Sequence, residues 1–190
     1  IVFFLALLLI VMLVHKVSEK SAAEEAVVSE PVKYVEKSPD FAVELLTVNE
    51  YSRPGTELAQ VNGIVVHYTA NPGTTAEQNR SYFESLAETG ETHASSHFII
   101  GISGEIIQCI PCNEISYASN DRNSDTISIE CCHNDETGVF EQATYDSTVK
   151  LTAWLCARFG LTSEQVIRHY DVTGKECPKY YVDHPDAWEQ

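Results

Sequence analysis

Basic side chains are scarce in this chain: 12 Lys and Arg stand against 28 Asp and Glu among 190 residues, for a formal net charge of -16. A surface of that sign excludes a non-specific grip on nucleic acid or anionic lipid, because both depend on cationic side chains displacing counterions. Any substrate must be caught by a site. The paired CxxC elements of a zinc ribbon are missing too, and the six cysteines (Cys109, Cys112, Cys131, Cys132, Cys156 and Cys177) are not spaced as in a disulfide-dense small domain. No internal repeat is visible, and the length leaves room for one domain with a proper core plus a tail.

What is present begins with an unbroken apolar run over residues 1–14, followed by His15, Lys16 and a polar stretch. The run is shorter than the roughly 20 residues that span a bilayer as a helix. The first residue is Ile, so the N-terminus is expected to be truncated, and no convincing small-residue cleavage site follows. Residues 1–16 therefore read as a signal anchor or signal peptide, with the anchor favoured, which gives the chain a membrane partner and an extracytoplasmic location. Residues 17–40, rich in Glu, Lys, Ser, Ala and Pro, read as a flexible linker, and the catalytic unit is expected over 41–190.

From Phe41 onward the texture is globular. A β-branched run over 61–68 ends in Asn71-Pro72-Gly73, a buried strand feeding a turn. Thr75 is placed to cap a helix over 76–87 whose apolar side is Tyr82, Phe83 and Leu86. Residues 97–102 and 105–110 read as two strands around Ser103-Gly104, and 126–132 as another. Thr144 is expected to cap the longest helix, with Tyr145, Val149, Ala153, Leu155, Cys156 and Phe159 towards one side and Gly160 as its stop. A short strand over 166–169 and a helical turn over 185–189 complete a mixed central β-sheet flanked by helices, an α/β domain.

The sharpest local feature is His169-Tyr170-Asp171-Val172-Thr173-Gly174-Lys175-Glu176-Cys177-Pro178, where a His at a strand end and a Cys eight residues on can meet across one loop. Imidazole and thiolate are both zinc ligands, and His67, at the end of the aliphatic strand, is the natural third. Each alone is as readily structural as functional. Three protein ligands with a fourth position open are the arrangement of a catalytic zinc, and such an ion brings a bound water towards neutral pKa. Alternation in Thr126-Ile127-Ser128-Ile129-Glu130-Cys131 sends Glu130 away from the apolar side, where it is a candidate base or a structural ion-pair partner.

His67-Tyr68-Thr69-Ala70, Ser96-His97-Phe98-Ile99, Ile127-Ser128-Ile129-Glu130 and the run from His169 to Pro178 together resemble the N-acetylmuramoyl-L-alanine amidases of the phage T7 lysozyme and peptidoglycan-recognition type. The likeness extends over roughly 46–188, with the motifs in order. It implies zinc as cofactor, held by His67, His169 and Cys177, with Glu130 as the base and Lys175 as a cation near the developing oxyanion. The implied partner is peptidoglycan, cut between the lactyl group of the sugar and the first stem-peptide residue. Two departures stand out: Ser96 where these enzymes carry Tyr, and Ser116-Tyr117-Ala118 where many carry a Trp-His-Ala segment.

Two rival readings come with this one. A peptidoglycan-recognition module that has lost catalysis would lack the Cys ligand, which is present here. A cysteine hydrolase would use Cys131 or Cys132 with His133 or His169, but no Gly-rich nucleophile turn follows them. His93, His133 and His184 read as surface residues, His97 as structural and Cys156 as a buried hydrophobe, while pairing of Cys109 with Cys112 stays open. The sequence says nothing of stem-peptide preference or oligomeric state.

Overall fold

The computed structural model describes residues 37–190, so the apolar segment 1–16 and nearly all of the linker lie outside the described residues. Among the described residues no helix is long and apolar enough to cross a membrane. The described residues lay down six strands: β1 (Ala42–Val43), β2 (Gly63–Tyr68), β3 (Phe98–Ile100), β4 (Ile106–Gln108), β5 (Thr126–Cys131) and β6 (Val166–Arg168). Their order is β1-β4-β3-β5-β2-β6. Only the β3–β4 hairpin is antiparallel, and the other neighbours run parallel. This is the mixed sheet expected of an α/β domain. It places β2 and β5, the two longest strands, side by side inside the sheet with a neighbour on each edge, where both faces are covered.

Among the described residues five α-helices accompany the sheet: α1 (Ala76–Thr89), α2 (Gln142–Phe159), α3 (His169–Thr173), α4 (Lys179–Asp183) and α5 (Pro185–Trp188). One face of the sheet packs Ile64, Val66, Phe98, Ile100, Ile127 and Ile129 against Leu151, Leu155 and Cys156 of α2 and Tyr181 of α4. The other packs Ile99 and Ile107 against Phe83 and Leu86 of α1 and Leu46. Each such side chain, fully buried, contributes roughly 1.5–3 kcal/mol of transfer free energy, so the two layers hold the sheet rigid beneath the site.

Three helix expectations need correction. Thr75 does cap α1, in a reciprocal box with Gln78, but Tyr82 points outward at 44% exposure and the inner stripe is Ala76, Asn79, Phe83 and Leu86. Helix α2 starts at Gln142, with Glu141 rather than Thr144 at its cap. Thr144 sits inside the first turn, where its hydroxyl donates to Gly101 O at 2.9 Å. Val149 is likewise exposed, and the buried stripe runs through Thr144, Thr148, Leu151 and Leu155. The threonines mislead an apolarity count because their hydroxyls are satisfied within the protein, Thr148 donating to Thr144 O at 2.8 Å. Gly160 ends α2 in the left-handed conformation, as its position predicts.

Candidate active site

Register builds the site. In β2 and β5, His67 lies directly opposite Glu130, and Val66 lies opposite Arg168 of β6. Residues in register share a face, so Glu130, His67 and His169, the residue after Arg168, line up across three neighbouring strands at their C-terminal ends. Those ends are where open parallel sheets present their ligand sites. Cys177 returns to the same place through a short loop. The Arg168 guanidinium grips the Asp171 carboxylate at 2.7 and 3.0 Å and donates to Tyr181 O at 2.9 Å, which fixes the start of α3 at His169. Gly174, at φ 78°, then reverses the chain, and the Tyr170 N–H donates to Cys177 O at 2.9 Å.

The result is a buried trio. His67 Nδ1 lies 3.1 Å from His169 Nδ1, and Cys177 Sγ lies 3.8 Å from His67 Nδ1. All three ligand atoms fall within 4.8 Å of one another, and each residue is buried. Zinc held tetrahedrally at about 2.0 Å from nitrogen and about 2.3 Å from sulfur sets its ligands about 3.3–3.6 Å apart, and the 3.1 and 3.8 Å separations here lie a few tenths of an ångström to either side of that range. The outer ring nitrogens are engaged elsewhere, His67 Nε2 with Ser119 Oγ at 3.2 Å and His169 Nε2 with Asn120 Oδ1 at 2.9 Å.

Electrostatics agree with a cation site. Burial pushes His67 well below its ordinary pKa, helped by His169 and Lys175, and burial with Lys175 also lowers His169, so both rings are neutral. Burial lifts the Cys177 thiol to about 12, with Glu130 adding to the rise while the Tyr68 amide and Lys175 oppose it. Glu130 is raised to about 8 by burial, against the pull of Lys175. One oxygen of its half-buried side chain, Oε2, is itself buried and has no hydrogen-bond partner among the described residues. An uncompensated carboxylate and a buried thiol beside two neutral imidazoles are groups that a dication would stabilise together. Lys175 is exposed at the rim of the trio.

The remaining candidates fall outside this cluster. His97 is fully buried and structural, its Nε2 donating to Glu114 O at 2.8 Å and its Nδ1 accepting from Ser128 N–H at 3.0 Å. The Ser96 hydroxyl is spent on Phe98 O. His93 and His184 are exposed as expected, but His133 is buried at 1% and holds Asp135 O through Nδ1. A polar flanking sequence hid it, because the ring is covered by Tyr68, a residue distant in the chain whose ring centroid lies 5.0 Å away. Cys131 and Cys132 are fully buried, and burial raises Cys131 strongly and Cys132 to about 12. Cys131 Sγ meets the Thr148 hydroxyl and Cys132 Sγ accepts from the Asn79 amide, so neither thiol has the histidine partner that a cysteine hydrolase needs. All six cysteines are free, Cys109 and Cys112 included. Ser119 and Asn120 were not singled out by the sequence: a loop Ser-Asn pair carries no motif until the fold sets it against two histidines.

Comparison with known proteins places this arrangement. A family model described as N-acetylmuramoyl-L-alanine amidase matches residues 57–180. The chain is 38% identical over 147 residues to the N-acetylmuramoyl-L-alanine amidase CwlL of Bacillus licheniformis, covering 71% of this chain and 41% of that protein. It is 34% identical over 163 residues to the amidase BlyA of Bacillus subtilis, covering 75% and 43%. The chain thus spans about two fifths of the length of these relatives. A solved structure of a mutant endolysin from Bacillus subtilis superposes with a TM-score of 0.66 at 27% identity, covering 79% of this chain and 96% of that one. By matched family, relatives and fold alike, the chain belongs to the N-acetylmuramoyl-L-alanine amidases of the T7 lysozyme-like type.

Proposed function

We propose that this chain hydrolyses the amide bond between N-acetylmuramic acid and L-alanine in peptidoglycan, using a zinc ion held by His67, His169 and Cys177. The observation that carries the reading is the buried trio with the unpartnered Glu130 carboxyl oxygen on the adjacent strand. Relatives named as amidases support the bond to be cut. When bound, zinc supplies Lewis acidity towards the amide carbonyl and brings a water's pKa towards neutrality.

The chain's own groups do the rest. Glu130 takes a proton from the attacking water at a carboxylate oxygen and returns it to the alanine nitrogen as the C–N bond breaks. The products are a carboxylate on the lactyl group and a free peptide amine. Burial raises Glu130 to about 8, and a dication beside it would pull that value down towards the range where a carboxyl both accepts and gives a proton near neutrality. Lys175, at the rim, faces the negative charge that grows on the carbonyl oxygen. The rigid sheet holds Glu130 and His67 in register, so the base and the metal ligands keep one fixed relation.

Residues 1–16 act in this reading as the anchor that keeps the amidase domain, 41–190, outside the cytoplasm and against the wall, with 17–40 as its tether. Amine release from purified peptidoglycan by the full chain, with zinc content measured in parallel, tests the whole proposal. Release of N-terminal alanine by a zinc-loaded chain is the expected result. A chain that holds zinc and binds peptidoglycan yet frees no amine would be a recognition module, and the role given to Glu130 would fall.

A further inference from the structure

Two residues outside the trio touch it, and they are neighbours in the chain. The turn at Asn120–Arg122 is held from below by Asn123, whose Oδ1 accepts from the Ala118 N–H at 3.1 Å and the Ser119 N–H at 2.6 Å. That clamp presents Ser119 Oγ to His67 Nε2 and Asn120 Oδ1 to His169 Nε2. Ser119 is 1% exposed, so its contact is sheltered from water.

The partners decide where the ring protons sit. An amide oxygen only accepts, so His169 carries its single proton on Nε2 and leaves Nδ1 as a lone pair. The Ser119 hydroxyl can accept or donate, so His67 can also hold its proton at Nε2 whenever Nδ1 is occupied. The two Nδ1 atoms, 3.1 Å apart, are then both lone pairs aimed at one point. Two acceptors at that distance repel unless a cation lies between them.

Asn120 shows a second sign of selection by the site. Its φ is 52°, in the left-handed region, and the other non-glycine residue in that region among the described residues is Ala70. Glycine would relieve this backbone and lose the acceptor, while most other side chains would resist the backbone. Asparagine meets both demands.

We propose that Ser119 and Asn120 are positioning residues for the metal, holding the outer nitrogens of His67 and His169 so that both inner nitrogens offer lone pairs to the same ion. The inference rests on the zinc reading above. It concerns residues that neither the sequence motifs nor the trio itself bring forward.

The test titrates the zinc-loaded full chain with a chromophoric chelator and reads the zinc retained at each step. Asn120→Gly keeps the backbone and removes the acceptor, and it is expected to weaken zinc about 10–100-fold, as is Ser119→Ala. Asn120→Asp restores an acceptor and is expected to hold zinc at least as tightly as the wild type. Thermal unfolding of the same zinc-loaded samples guards against a folding defect, and the rescue by Asp against a merely structural role. If Asn120→Gly retains zinc like the wild type, Asn120 serves only its backbone and the inference is overturned. If the wild-type chain itself takes up no zinc, the zinc reading fails first, a different result from wild-type zinc with unchanged variants.

Discussion

Two histidine clusters lie buried on the same face of the sheet, served by two residues of one strand, and they differ in what their nitrogens do. Ser128 serves the first: His97 has both ring nitrogens satisfied by protein, and Ser116 closes the network on Ser128 Oγ at 2.7 Å. Glu130, two residues on, flanks the second, where two imidazoles turn their inner nitrogens towards each other and a thiol closes the triangle. Burial is the same in both and so distinguishes nothing. A buried histidine whose lone pairs are consumed is scaffold, and one whose lone pairs converge on a shared point is a ligand.

Breaking the second cluster should have the larger effect. Cys177→Ala removes one of the three proposed ligands, and both bound zinc and amine release from peptidoglycan are expected to vanish, checked by metal analysis and an amine assay on one preparation. Glu130→Gln keeps the shape of the side chain and removes the proton acceptor. Its kcat is expected to fall about 10²–10⁴-fold with zinc content unchanged, which would separate base from ligand.

The first cluster answers in stability and not in catalysis. His97 is held neutral by burial, its pKa lowered to about 4 from 6.5. The unfolded chain therefore binds the proton first as pH falls, and the stability that His97 contributes, complete above pH 6.5, is lost between 6.5 and about 4. The loss amounts to about 3 kcal/mol and is read from denaturant midpoints across that range. His97→Gln should flatten this part of the profile while leaving zinc stoichiometry at wild-type level. The smallest effect is expected at the exposed rim. Lys175→Met should lower kcat about 10²-fold, with zinc retained, and a wild-type rate would end its assignment to the oxyanion.

Much of the candidate site was legible because its proposed ligands sit where local pattern is strong. His67 ends an aliphatic run, Glu130 is marked by a two-residue alternation, and His169 and Cys177 share one loop. The three central strands followed from the same β-branched runs, trimmed by a residue or two at their ends where pairing stops. What the sequence hid depends on contacts between distant segments. Ser119 and Asn120 acquire meaning only when their turn lands on β2 and α3, and the burial of His133 only when Tyr68 packs against its ring. The two-residue strand β1 carries no periodic signal, and its pairing with β4 is set by the edge of a sheet already formed. The stripe of α2 was misread because Thr144 and Thr148 face inward on hydrogen bonds that hydropathy does not count.

The C-terminal loop has a consequence for the order in which the molecule comes into being. His169 and Cys177 are neighbours in the chain and are drawn together by the short loop through Gly174, whereas His67 stands 102 and 110 residues away from them. Two of the three members of the trio thus form a local module, and the third arrives only through the pairing of β2 with β6. During synthesis β2 emerges early and waits, and no nascent chain that ends before Cys177 can assemble the trio. Cys177 is the last of the three to be made, so the trio could take up a metal only once the chain has grown 110 residues beyond His67.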